Sequence, residues 1–373
     1  MQSRVTAQDE AFLQKALELA ERGRRLVSPN PMVGAVVVRD AEIVGTGYHR
    51  RFGGDHAEVE ALRDAGAQAR GATLYVNLEP CSHFGKTPPC VNRVIDAGIK
   101  KVFVGTLDPN PLINGKGVAI LREHGIDVEM GVLEEASREL NAAFFKFITT
   151  GRPYVTLKMA QSVDGKIADA SGASRWISNA AARRLVHRWR WQHDAVLMGI
   201  GAVLKDNPQL TVRDDDGPPP RRIILDSHFR TPLEANVLSD AHVQSTIMVI
   251  SESCHETAKI DEMDKRAATV WRMPIDGRGG LNLEAILSQA RLANIASILV
   301  EGGRAVFSSF LEMRLADHLA CFIAPKILGE GLPALQGVAS LPVSNPIALD
   351  KVSWQTIDDN VLLTGNLRYP VGD

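Results

Sequence analysis

Short apolar runs alternate with helix-like segments along this chain, and the alternation is interrupted once, at "TTGRPYVTLKMA" (149–160). Gly151 and Pro153 end a helical segment there, and a new strand begins at Tyr154. Before the break, "VGAVVV" (33–38) and "EIVGTGYH" (42–49) read as two strands around an Arg-Asp-Ala turn. "AEVEALRDAGAQA" reads as a helix ending at glycine, and "PCVNRVIDAG" as a helix opened by proline and closed by glycine. "TLYVNL" (73–78) and "KVFVGT" (101–106) are further strands, and 115–124 and 133–149 are helical. This pattern predicts a mostly parallel sheet covered on both faces.

The alternation resumes after the break with "DAVLMGI" (194–200), "RRIILD" (221–226), "TIMVIS" (246–251) and "SILVEGG" (297–303). The extended segments "HLACFIAPKIL" and "NVLLTGNLRY" then predict antiparallel edges. At 373 residues the chain exceeds the size at which single cores stop growing. We therefore expect two α/β domains, 1–150 and 151–373.

Composition narrows the function classes. A net charge of −2 supplies no field to attract nucleic acid, and 5% aromatic content leaves little for base stacking. No apolar run is long enough to span a bilayer. The segment "MQSRVTAQDEAFLQKALELAERGRR" lacks an apolar export core and reads as an amphipathic helix with Phe12, Leu13, Ala16, Leu17 and Ala20 on one side. The expected compartment is the cytoplasm, where four cysteines in a large chain do not make a disulfide framework.

Two of those cysteines fall in "EPCSHFGKTPPC" (79–90). With His56 they make a candidate zinc site. Zinc takes imidazole nitrogen and thiolate sulfur, and a catalytic site uses three protein ligands and leaves the fourth position for water. Cys90 sits at a predicted helix start, where the dipole favours the thiolate. His56 and Glu58 share the entrance of the predicted helix that follows. The order H-x-E, strand, E-P-C, helix-capping cysteine matches the zinc-deaminase signature, which is usually written with two residues between the cysteines. Here eight intervene. His83 lies in that loop as a rival ligand. A staple in a binding protein and a pair of buried core thiols are the bland readings. Cys254 and Cys321 have no partner motif and read as structural.

Together, "SPNPMVGAVVV", "GGDHAEVEAL", "LEPCSHFGKTPPC" and "DPNPLINGKG", followed by "VTLKMAQSVDGKIA", "GASRWIS", "LKDNPQLTVR" and "VEGG", resemble the bacterial bifunctional riboflavin-biosynthesis deaminase/reductase family. The long cysteine spacing is typical of that family. The resemblance implies a cytidine-deaminase-like three-layer α/β/α domain followed by a dihydrofolate-reductase-like α/β domain. It implies zinc-dependent hydrolytic deamination of 2,5-diamino-6-ribosylamino-4(3H)-pyrimidinone 5′-phosphate, then NADPH-dependent reduction of the ribosyl group to ribityl. The partners implied are these small pyrimidine ribose phosphates and further copies of the chain in a homo-oligomer. A tRNA adenosine deaminase-like enzyme with an accessory domain is the alternative, and it needs a basic, stacking surface.

Within the resemblance, His56, Cys81 and Cys90 hold zinc and Glu58 moves protons without ligating. Asn30, His49, Lys86, Asp108 and Asn110 meet the deaminase substrate. Taken alone, Asn30, Asp108 and Asn110 are ordinary turn residues, and Lys86 an exposed loop charge. In the second half, "SILVEGG" leads into a helix, a weak phosphate-binding signal without a GxGxxG fingerprint. The resemblance assigns NADPH to Ala160, Trp176, Ala202, Asp206, Ser227, Gly302 and Gly303. It assigns the second substrate to Ser174, Arg190, Leu210, Arg213 and Glu301. In "RRLVHRWRWQH" (183–193), Arg183, His187 and Arg190 share one helix face, which reads as a solvated basic face, a phosphate site or a nucleic-acid groove. Lys158 and Glu301 leave strands at the rim where α/β sheets bind ligands. They are expected either to form a structural ion pair or to orient the ribose and assist proton delivery.

Overall fold

A computed structural model of the chain describes residues 5–83, 88–213, 219–338 and 340–370. It divides into two compact units, Met1–Arg152 and Pro153–Asp373, each with its own core.

The N-terminal unit runs α1 (Ala7–Glu21), β1 (Gly34–Arg39), β2 (Glu42–Tyr48), α2 (Ala57–Ala65), β3 (Thr73–Leu78), α3 (Cys90–Asp96), β4 (Lys101–Thr106), α4 (Lys116–Glu123), β5 (Asp127–Met130), α5 (Glu134–Leu140) and α6 (Ala142–Thr150). A capping box opens α1: Asp9 N donates to Thr6 Oγ1, and Thr6 N donates back to the Asp9 carboxylate. Among the described residues the strands form one sheet in the order β2-β1-β3-β4-β5. The expected mostly parallel sheet is in fact mixed, because β1 runs antiparallel to both its neighbours. A tight turn at Asp40 and Ala41, both at positive φ, folds β2 back on β1. The crossover through α2 then lays β3 parallel to β2, on the far side of β1. From β3 to β5 the sheet is parallel.

Side chains alternate faces with period two. Ala35, Val37, Leu74, Val76, Val102 and Val104 pack with Ala57, Ala61, Val91, Val94 and Leu121 from α2, α3 and α4. Val36, Val38, Tyr75 and Phe103 pack with Leu13, Ala16 and Leu19 of α1. The helix expected over 133–149 is two helices broken at Asn141. The Asn141 side chain accepts from Met32 N at 2.8 Å and donates to Met32 O at 2.9 Å, so its amide serves the approach to β1.

The C-terminal unit runs β6 (Tyr154–Ser162), β7 (Lys166–Ala168), α7 (Ala180–Gln192), β8 (Ala195–Gly199), α8 (Ile200–Asp206), β9 (Arg221–Leu225), α9 (Asn236–Ser239), β10 (Thr246–Ser251), α10 (Thr257–Lys265), β11 (Thr269–Met273), α11 (Leu283–Leu292), β12 (Ser297–Gly302), α12 (Arg304–Glu312), β13 (His318–Ala324), β14 (Leu332–Pro333), β15 (Ala348–Ile357) and β16 (Asn360–Arg368). Among the described residues the main sheet is ordered β11-β10-β9-β8-β12-β6-β13-β16-β15. It is parallel from β11 to β13 and antiparallel at β16 and β15, as the extended segments suggested. Strand order reverses at β8: β9, β10 and β11 build outward on one side, and β12 returns on the other. Open α/β sheets bind ligands at the carboxyl ends of the strands beside such a reversal. No helix among the described residues is long and apolar enough to cross a membrane.

Candidate active sites

In the N-terminal unit, His56 is the N-cap of α2 and Glu58 lies in its first turn. Their position depends on Gly47 of β2. A Cβ there would lie 2.4 Å from both Ala57 O and Ala61 N, so only glycine lets α2 approach this strand. Cys90 opens α3, and Cys81 follows β3.

The structure brings His56, Cys81 and Cys90 together, one ligand atom from each lying within 4.8 Å of the others. His56 Nδ1 is 3.2 Å from Cys90 Sγ and 3.5 Å from Cys81 Sγ. A tetrahedral zinc ion with ordinary Zn–S and Zn–N bonds places its ligand atoms roughly 3.5–3.8 Å apart; the His56–Cys81 spacing meets this, the His56–Cys90 spacing is slightly shorter, and the donor chemistry fits. His83 is exposed and outside this cluster. Cys81 is held well below the ordinary thiol value: the Cys90 thiol donates to it, and so do His56 and the Cys90 N–H, against the cost of burial. Cys90, which donates to it, is pushed well above its ordinary thiol value by that bond and by burial, so the thiolate lies on Cys81 and the lowering of Cys90 expected at a helix start is not seen. Glu58 is buried, which pushes its carboxyl up to about 7, and it reaches the Cys90 thiol. That is a group able to carry a proton at neutral pH.

His49 is buried and neutral, its value lowered by burial. Nδ1–H donates to Asp55 O at 2.9 Å, which leaves Nε2 to accept from Asn30 Nδ2 at 3.4 Å. Its ring meets His56 edge-on at 5.3 Å. Asp108 is buried, and burial raises its carboxyl to about 6. Asp108 Oδ1 accepts from Asn110 N and Asn110 Oδ1 from Leu112 N, so both also do the turn work their residue types predict. Lys86 lies outside the described residues.

In the C-terminal unit a cavity of about 950 Å³ opens at the carboxyl ends of β6, β8, β9 and β12. It gathers every candidate substrate, cofactor or proton-delivery residue of this half: Lys158, Ala160, Ser174, Trp176, Arg190, Ala202, Asp206, Leu210, Arg213, Ser227, Glu301, Gly302 and Gly303. Arg183 and His187 line it as well, so the basic helix face borders this cavity. Arg183 stacks over the Trp176 ring at 4.3 Å, while His187 and Arg190 both reach Thr211 O at 3.2 Å.

Of the two readings of Lys158 and Glu301, the structural ion pair is not formed: Glu301 pairs with Arg190 instead. The guanidinium fork meets both carboxylate oxygens, a geometry that an ammonium cannot supply. Burial opposes the charge on Glu301, but Arg190, Lys158 and His187 hold it below the ordinary carboxylate value. Burial lowers Lys158, with Glu301 pulling the other way and Arg190 adding to the shift.

Sequence reasoning missed Glu79, whose carboxylate is buried beside the metal loop, and Thr211, whose carbonyl anchors two cavity residues. The signal for Glu79 was a charged residue directly after the strand-like run "TLYVNL" (73–78). Thr211 offered none, since its backbone does the work.

The fold and the two sites define a deaminase-type metal centre in one unit and a reductase-type α/β cavity in the other. The family model "Cytidine and deoxycytidylate deaminase zinc-binding region" matches residues 6–106, and "RibD C-terminal domain" matches residues 153–363. The riboflavin biosynthesis protein RibD of Aquifex aeolicus is 45% identical over 346 residues, 92% of this chain and 95% of that protein. RibD of Escherichia coli K12 is 40% identical, covering 90% and 94%. Among solved structures, form 1 of Acinetobacter baumannii RibD superposes with a TM-score of 0.86 at 37% identity, covering 97% of this chain and 99% of that one. A Thermotoga maritima diaminohydroxyphosphoribosylaminopyrimidine deaminase/5-amino-6-(5-phosphoribosylamino)uracil reductase gives 0.84 at 40% identity, with the same coverage. The chain belongs to the bacterial RibD family of bifunctional deaminase/reductases of riboflavin biosynthesis.

Proposed function

We propose that His56 Nδ1 and the thiolates of Cys81 and Cys90 hold one zinc ion, and that the N-terminal unit deaminates a diaminopyrimidinone carrying a ribosylamino 5′-phosphate. Zinc so held supplies a Lewis acid that lowers the pKa of water. Glu58 takes a proton from the attacking water and passes it to the ring nitrogen, then takes the proton of the newly formed hydroxyl and passes it to the amine, which departs as ammonia as the carbonyl forms. Asn30 and His49 offer polar edges to the ring, Asp108 and Asn110 are assigned to the same substrate, and Lys86, outside the described residues, is assigned to its anionic end. The observation that carries this reading is the Glu58 carboxyl, buried at the same helix entrance as His56 and within reach of Cys90.

In the C-terminal unit, NADPH takes the part of the cavity bordered by Ala160, Trp176, Ala202, Asp206, Ser227, Gly302 and Gly303, and it supplies hydride when bound. Ser174, Arg190, Leu210, Arg213 and Glu301 hold the ribose phosphate of the deaminated pyrimidine. Glu301, fixed by Arg190, orients the ribose hydroxyls. Lys158 holds the proton for the atom that gains charge.

Glu58→Gln tests the assignment. The amide cannot relay a proton, so the variant should keep zinc, release no ammonia, and still oxidise NADPH when given the deaminated intermediate. Near-normal ammonia release would sink the role given to Glu58.

A further inference from the structure

Glu79 stands between β3 and Cys81, and its carboxylate has no part in the chemistry above. It is 3% exposed. Among the described residues its partners are backbone N–H groups. Oε2 accepts from Asp108 at 3.2 Å and Gly115 at 2.9 Å, and Oε1 accepts from Gly117 at 2.9 Å and Val118 at 3.2 Å. Three of these donors belong to the start of α4, whose N-cap is Gly115 and which has no side-chain cap of its own. A helix start leaves its first N–H groups unpaired. Glu79 pairs them from a neighbouring strand end. Gly117 makes the approach possible, since a Cβ there would lie 2.2 Å from Pro80 O.

The fourth donor extends this clamp to the loop that starts at Asp108. Asp108 Oδ1 accepts from Asn110 N, and Asn110 Oδ1 accepts from Leu112 N. One carboxylate, two residues before a metal ligand, therefore fixes where the loop carrying Asp108 and Asn110 stands relative to Cys81.

We infer that Glu79 is a positioning residue for deamination: it holds the Asp108–Asn110 loop at the spacing from the metal loop that the pyrimidine requires. The inference rests on the reading of Asp108 and Asn110 as substrate residues. The role calls for a carboxylate. Glutamine keeps one acceptor oxygen and would turn its own N–H groups toward backbone donors. Alanine would leave N–H groups converging on a hole at a helix N-terminus, an arrangement that attracts a small anion.

The test uses the full chain with Glu79→Gln and Glu79→Ala. Zinc content, kcat and KM for ammonia release, and NADPH oxidation with the deaminated intermediate are measured for each. Glu79→Gln should raise KM by about tenfold or more, because charged hydrogen bonds that hold the loop are lost, with kcat within about threefold of wild type. Zinc content and reductase turnover should be unchanged. Formate should lower the raised KM of Glu79→Ala and leave wild type untouched, a rescue that a packing role does not give. An unchanged KM in Glu79→Gln overturns the inference. So does loss of zinc from that variant, since Glu79 would then serve the metal loop, and so does a soluble Glu79→Ala that formate cannot rescue. If Glu79→Ala does not fold, Glu79→Gln alone decides. A wild-type chain that releases no ammonia overturns the site reading itself, and that result is separable because it precedes any substitution.

Discussion

Arg190 and Glu301 form a two-point ion pair inside the C-terminal unit, with Nη2 2.8 Å from Oε2 and Nε on Oε1. The side chains are 15% and 4% exposed, so neither charge is well solvated alone. Removing one member of such a pair costs about 3–5 kcal/mol, because the other charge stays buried. Glu301→Ala also leaves Arg190 and Lys158 without the anion between them. Its C-terminal unit should unfold at clearly lower urea concentration, and Arg190→Met in the same chain should restore part of the loss. A wild-type midpoint for Glu301→Ala would show that the pair contributes nothing to stability.

The same carboxylate sets the pH behaviour of Lys158. Burial lowers this lysine below its ordinary 10.5, while Glu301 resists the shift. The folded value lies below the unfolded one, so the unfolded chain binds more protons between the two, and stability rises with pH across that window. If Lys158 holds the reductase proton, the basic limb of reductase kcat falls below 10.5. Glu301→Gln removes the charge that favours protonated Lys158, so the limb should move to still lower pH. A limb that does not move when Glu301 is neutralised would detach the rate from Lys158.

Gly47 offers a test of how the metal helix is placed. Gly47→Ala forces a Cβ against Ala57 O and Ala61 N, so α2 must shift outward and carry His56 and Glu58 with it. Overpacking of this kind costs about 1–3 kcal/mol. Zinc affinity and ammonia release should both fall, with reductase turnover kept. Unaltered deamination in Gly47→Ala would mean that the helix start does not depend on this contact.

Cys81→Ser and Cys90→Ser should each lose the metal, since a hydroxyl is a poor zinc ligand beside thiolate. Elemental analysis of the purified variants decides it, and full zinc occupancy in either would remove that residue from the ligand set.

The His56–Cys81–Cys90 cluster was legible in sequence because each member sits where local rules place it. His56 and Cys90 begin helices, and Cys81 follows the mostly apolar strand "TLYVNL". Strands such as 73–78 and 101–106 were legible for the same reason. β5 was not, because in Asp127–Met130 only Val128 is buried and the alternation is lost among charged neighbours. Asn141 reads as mid-helix until its long-range bonds to Met32 are seen. Arg222 is the sharpest case. It lies in β9 with no exposed surface, paired with Asp240 at 2.6 and 2.9 Å and donating to Gln209 O and Val237 O. An arginine beside apolar residues reads as a strand end, and only the folded chain shows which acceptors surround it. Arg190 and Glu301 are far apart in sequence, so their pairing likewise had no local signal.

On this assignment one chain carries two successive reactions at two sites, the first dependent on zinc. The most direct measurement supplies the purified chain with the diaminopyrimidine ribose phosphate and NADPH, and follows ammonia and NADPH together. Ammonia release should precede NADPH oxidation and match it in amount. Stripping zinc should stop both, and adding the deaminated intermediate should restore NADPH oxidation alone. Ammonia release that persists without zinc, or NADPH oxidation that proceeds on the undeaminated substrate, would contradict the account.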